Sequence, residues 1–269
     1  MKTLNRIVVV AVLSAVVLAT GVLSTGVANA KLVSRSEDVR VAAIKFRSRV
    51  TTTSSSQSMT CATGAKCVLG DIGPGGGQVF YVADGLSFFT SVGSICNTKC
   101  KYLEAAPVSW STSTQKPKQT ICVTPGNATT DPKCVWSGVT AKLIGLSAQG
   151  IEIGTGYANT SAIITQSNIA GKAATAARGY QGGGFVDWFL PSQLELNQLC
   201  RYAQNLEVDT GTTSCVRGEL RPGFSADYYW SSSESIRPYP ARFQSFNTGA
   251  QITSSKFYAF YVRPVRAFG

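Results

Sequence analysis

Eight cysteines constrain this chain more than any other feature. Cys61, Cys67, Cys96, Cys100, Cys122, Cys134, Cys200 and Cys215 fall into four couples, each close in sequence. Their meaning depends on the compartment. Met1 to Arg6 carries Lys2 and Arg6, Ile7 to Leu23 is apolar, and Ala28-Asn29-Ala30 supplies a small-x-small exit. That order is the pattern of a secretory signal. The apolar run is shorter than the roughly 20 residues of a spanning helix. Residues 1–30 therefore read as a cleaved signal peptide, and no membrane span is expected after cleavage. Outside the cytoplasm an even number of cysteines implies disulfides. Eight cysteines admit on the order of a hundred pairings. The local couples predict Cys61–Cys67, Cys96–Cys100, Cys122–Cys134 and Cys200–Cys215, each stapling a loop. Metal ligation is the weaker reading, because the chain has no His and no C-x-x-C spacing.

The missing histidine also removes the commonest general base. Ser-His-Asp and Cys-His catalysis are excluded, while carboxylate or lysine chemistry stays open. The formal charge is +11. A basic exported protein favours anionic partners such as acidic glycans, cell-wall polymers or membrane surface, although charge also serves solubility. Export and modest charge density disfavour nucleic acid.

Residues 31–60 begin basic and turn into a Ser/Thr-rich run, which reads as a linker. Residues 61–269 read as one domain. Within it, "DIGPGGGQVFYV" raises the question of a phosphate cradle. Gly77 is followed by Gln78 and then by a β-branched and aromatic run, not by Lys and a helix. Both the Walker and the dinucleotide loops need that helix. The glycines are therefore expected to form a tight turn that opens a strand.

Two helices are expected. The first spans about Thr160 to Arg178, from apolar residues at near-helical spacing, with Asn159 or Thr160 as cap. The second follows Ser192, where Glu195 three positions on completes a capping box. Asn247-Thr248-Gly249 signals a hairpin. "KFYAFYVRPVRAF" reads as a strand ending at an edge or bulge, because Pro264 cannot donate to a ladder.

Five segments, "GDIGPGGGQVFYV", "YLEAAP", "DWFLPSQLELN", "YYWSSSE" and "VRPVRAF", occur in this order. Together they resemble the bacterial domain family typified by the C-terminal domain of the Legionella collagen-like adhesin. The resemblance implies an α+β fold: a C-type-lectin-like domain with two helices, a mainly antiparallel sheet and long disulfide-stapled loops, distantly related to formylglycine-generating enzymes. It also implies export to the cell surface or medium and, by the named adhesin, recognition of sulfated glycosaminoglycans.

Ligand-binding candidates follow. Arg217, Arg221, Arg237 and Arg242 lie in or beside expected loops, and arginine forks match sulfate and carboxylate. Trp188, beside Asp187, is either a sugar-stacking ring or a core anchor. Tyr228 and Trp230 share one strand face, with the Ser231 to Glu234 run beyond. Calcium is possible but unsupported, because none of the tripeptides that hold it in sugar-binding lectins occurs. No other cofactor is expected. The reading is an exported adhesin for anionic polysaccharide, without catalysis. A structural or protein-binding envelope module is the alternative, and an enzyme the second. For the enzyme, Asp187 with Asp227 or Glu234 could in principle form a glycosidase pair. Asn127 and Asn159 head glycosylation acceptor triplets.

Overall fold

The cysteines pair as their spacing predicts, in bonds Cys61–Cys67, Cys96–Cys100, Cys122–Cys134 and Cys200–Cys215. The computed structural model describes residues 60–85, 87–112, 122–206, 215 and 218–269. The signal peptide, nearly all of the linker, and Arg217 lie outside the described residues.

The expected two-helix, lectin-like architecture is not what the chain adopts. Three α-helices occur among the described residues: α1 (Gly156–Gln166), α2 (Ala173–Gly179) and α3 (Gln193–Ala203). The single helix expected over Thr160 to Arg178 is two. Ser167 leaves helical geometry at φ −156° and ψ 114°, and Gly171 takes φ +73°. The intervening Ile169 points to solvent, so no apolar stripe carries the helix across the gap. Thr175 restarts it, accepting from Lys172 N at 3.1 Å. The start also differs. Asn159 and Thr160 lie inside α1 and turn inward, Asn159 bonding both the N–H and the carbonyl of Gly150.

The strands form three open sheets rather than one mainly antiparallel sheet. β1 (Gln78–Val82), β4 (Tyr102–Ala105) and β10 (Val265–Phe268) make the first, in the order β1-β4-β10. The first and last strands therefore share a sheet without touching, because β4 runs between them. β2 (Phe89–Ser91) and β3 (Asn97–Cys100) form a ribbon, and the Cys96–Cys100 disulfide ties their connecting loop to the end of β3. The third sheet holds β5 (Lys133–Val135), β6 (Tyr228–Glu234), β7 (Pro240–Ser245), β8 (Gln251–Ser255) and β9 (Ala259–Tyr261), ordered β5-β9-β6-β7-β8. It is mixed, because β6 pairs parallel with β9. The β7–β8 hairpin turns at Asn247-Thr248-Gly249 as expected. The long C-terminal aromatic run is two strands. β9 ends before Pro264 and β10 joins a different sheet.

Two apolar clusters flank the five-stranded sheet. Alternation along β6 and β7 sends Trp230, Ala241 and Phe243 into one cluster and Tyr229 and Phe246 into the other. The first cluster contains all four tryptophans and the alanines of α2. Small side chains let α2 be buried on every side. Each indole N–H is satisfied: Trp110 by Asp131, Trp136 by the Ser231 carbonyl, Trp188 by the Gly182 carbonyl, Trp230 by the Cys134 carbonyl. A buried donor left unpaired would cost about 1–3 kcal/mol. The second cluster packs α3 against β4, β10 and Tyr229.

Candidate functional site

The glycine loop does hold an anion, and the anion is internal. Gly75 N donates to Glu104 Oε1 at 3.0 Å and Oε2 at 3.1 Å, and Gly77 N to Oε2 at 3.1 Å. Successive backbone donors of this kind form an anion-binding nest. A Cβ at Gly75 would lie 2.7 Å from Glu104 Oε1 and 2.5 Å from Trp188 Cζ2, so only glycine fits there. Arg266 Nη1 completes the cradle at 2.9 Å, and Arg266 Nε binds Asp187 Oδ1 at 2.6 Å. Burial raises the Glu104 pKa, while Arg266 and the two glycine N–H groups pull it back.

Two further networks absorb charge. Asp131 accepts from Arg263, Trp110 and Tyr229. Arg263 spends its remaining donors on the carbonyls of Ala106 and Gly223. Lys256 Nζ binds Glu234 Oε1 at 2.5 Å with neither side chain exposed, and donates also to the carbonyls of Lys142 and Pro238. Glu195 has no cation partner among the described residues. It accepts from Ser192 N and Gly154 N, both at 2.7 Å.

This accounting shapes the surface. The interior holds five carboxylates (Glu104, Asp131, Asp187, Glu195, Glu234) against three cations (Lys256, Arg263, Arg266). The rest of the described chain exposes, in whole or part, five carboxylates against eleven lysines and arginines. The exterior is thus more basic than composition alone indicates.

The expected ligand residues separate on this basis. Trp188 and Trp230 are buried in the core and offer no face to a sugar. Arg221 lies over the Tyr202 ring at 4.3 Å and donates to the Tyr202 carbonyl, which pins it to α3. Arg242 is half-buried on β7. Its Nε has no hydrogen-bond partner, and strand alternation points it away from Phe243. Asp187, Asp227 and Glu234 do not form a carboxylate pair. Each is held by its own cation: Arg266, Lys133 and Lys256. Asn127 is exposed, whereas Asn159 is buried in α1.

Two candidates remain on the surface. Tyr228 begins β6 and is 43% exposed. Its ring lies 5.0 Å from Phe243 and 5.3 Å from Phe260. The row continues, for the Tyr258 ring runs nearly parallel to Phe260 at 6.2 Å and Phe257 lies 4.5 Å from Tyr258. Phe257, Tyr258 and Tyr239 are each more than half exposed. Arg237 projects from the β6–β7 hairpin, two residues before Tyr239. Lys256 ties that hairpin to the Phe257-Tyr258 turn. Its backbone N–H donates to the Tyr239 carbonyl and its ammonium to Pro238. Phe257 and Tyr258 were invisible as surface residues in the sequence, because they stand in a run that reads as continuous strand. Only the turn after β8 exposes them.

Among the described residues, no group of His, Cys, Asp and Glu is placed to hold a metal ion, and no helix is long and apolar enough to cross a membrane. Compared with known proteins, the chain matches no family model and no curated sequence.

Proposed function

We propose that this chain is an exported binding domain for an acidic polysaccharide, engaged without catalysis on the aromatic ledge of Tyr228, Tyr239, Phe257 and Tyr258. The observation that carries this reading is the set of exposed rings at Tyr228, Tyr239, Phe257 and Tyr258, with Arg237 exposed on the hairpin that carries Tyr239, on a described exterior with eleven cations to five carboxylates. Flat rings suit the apolar faces of pyranoses, and tyrosine adds a hydroxyl at the wet end. Arginine supplies the fork for sulfate or uronate. The resemblance to the adhesin family, whose named member binds sulfated glycosaminoglycans, points the same way.

Retention on immobilised heparin, compared with neutral dextran, tests the proposal. The wild-type chain is expected to elute from heparin well above physiological salt and to pass through dextran. Arg237→Ala should weaken heparin binding roughly threefold to tenfold, the scale of one exposed charge contact. The Phe257→Ala/Tyr258→Ala double variant should weaken it further. Unchanged elution of both variants would defeat the proposal. A protein partner is the second reading. It is favoured by Ile236 and Ile252, which are exposed on the hairpin tip and on β8.

A further inference from the structure

A second surface feature lies on another sheet and has a different chemistry. A cleft of about 530 Å³ opens beside β4 and β10. The loop closed by Cys61–Cys67 forms one wall, and Ile95 with Cys96 of the β2–β3 ribbon the other. Its floor is aromatic, with the rings of Tyr102 and Phe268 5.1 Å apart. The volume falls in the range of about 300–1,000 Å³ typical of small-molecule sites. Crosslinked walls reduce the ordering cost of binding.

Two cationic groups lining the cleft, Lys66 and the buried Arg266, keep uncommitted donors. Arg266 lines the cleft and is 2% exposed. Its Nε and Nη1 are engaged by Asp187 and Glu104, its guanidinium lies 3.5 Å over the Phe185 ring, and among the described residues its Nη2 has no hydrogen-bond partner. Lys66, exposed on the disulfide loop, forms no ion pair among the described residues. Lys101 is already committed, donating to the Gly85 carbonyl at 2.8 Å and lying 5.5 Å over Phe88. Glu104 and Asp187 offset Arg266 from behind, so the site has no surplus for a polyanion. A single negative charge between Lys66 and Nη2, with an apolar body on the Tyr102 and Phe268 rings, satisfies each group.

We infer that this cleft binds a small amphiphilic monoanion, an aromatic or acyl body carrying one carboxylate. The inference is independent of the polysaccharide ledge. Calorimetric titration of the full chain with 3-phenylpropionate and octanoate, each beside its alcohol, tests it. Both carboxylates should saturate, and the alcohols should bind at least about tenfold more weakly. Lys66→Gln, on an exposed loop, should weaken the carboxylates roughly threefold to tenfold. Ala65→Trp should fill the cleft and abolish binding, with far-UV circular dichroism confirming that the variant is folded. The Phe257→Ala/Tyr258→Ala variant should bind the carboxylates as wild type does, which separates this site from the ledge. Equal affinity for acid and alcohol, full binding by Ala65→Trp, or no saturation below about 10 mM would each overturn the inference.

Discussion

At the residue scale, the charged side chains that look most like functional groups are mostly braces. Glu104, Asp187, Glu234, Arg263 and Arg266 are all buried in ion pairs. Lys256 shows the consequence most directly, since one ammonium neutralises Glu234 and holds the hairpin carbonyl of Pro238. Lys256→Met should cost about 3–5 kcal/mol in urea unfolding, because it strands a buried carboxylate. The same variant should lose heparin retention, since the hairpin and the Phe257 turn lose their common tether. Retained stability would show that the Lys256–Glu234 pair does not brace the fold. Trp188 and Trp230 are the opposite lesson. Trp188 read as either a sugar-stacking ring or a core anchor and Trp230 as a ligand candidate, and each indole is satisfied by a carbonyl inside the core.

At the element scale, α3 is the part most fully legible in the sequence. Ser192 Oγ accepts from Glu195 N at 3.3 Å, and Glu195 accepts from Ser192 N in return. A capping box is a contact between residues three apart, so the motif contains its own geometry. The sequence did not show that Glu195 would be sealed off. Burial pushes its carboxyl up from 4.5 to about 7, against the hydrogen bonds from Ser192, Gly154 and Gly156 that pull it down. A carboxyl raised in the folded state binds its proton more tightly there than in the unfolded chain. Its stabilising effect is complete at acid pH and fades as pH climbs through about 7. The loss is on the order of 3 kcal/mol. Glu195→Gln keeps a capping side chain but does not titrate. Its stability relative to wild type should therefore improve between pH 4.5 and 7. Parallel stability curves for the two proteins, from chemical denaturation across that window, would refute a raised Glu195. The α1–α2 break was less legible, because Ser167 to Gly171 has no proline and continues the small-residue composition on both sides. The exposure of Ile169 and the left-handed Gly171 decide it.

At the scale of the whole molecule, the four disulfides and the buried ion pairs divide the labour. No bond joins cysteines more than 15 residues apart, so each steadies one loop. Distant segments are joined instead by charge and packing. Arg266 reaches Glu104 across 162 residues and Arg263 reaches Asp131 across 132. The Cys96→Ser/Cys100→Ser double variant should therefore lose about 2 kcal/mol yet keep the near-UV circular dichroism of its four buried tryptophans. Collapse of that signal would show that the ribbon organises the core. What the sequence determined by itself is local: the disulfide couples, the capping box of α3, the Asn247-Thr248-Gly249 hairpin and the strand after the glycines. Each depends on residues near one another in the chain, whose geometry is set by backbone and short-range bonding. The tertiary structure alone decided that the glycine turn clasps Glu104, that β6 runs parallel to β9, that the candidate tryptophans are core, and that Tyr228 and Tyr258 both pack on Phe260. Those outcomes depend on which apolar faces are buried together and which buried charges then find partners, sums over the whole chain that no local pattern records.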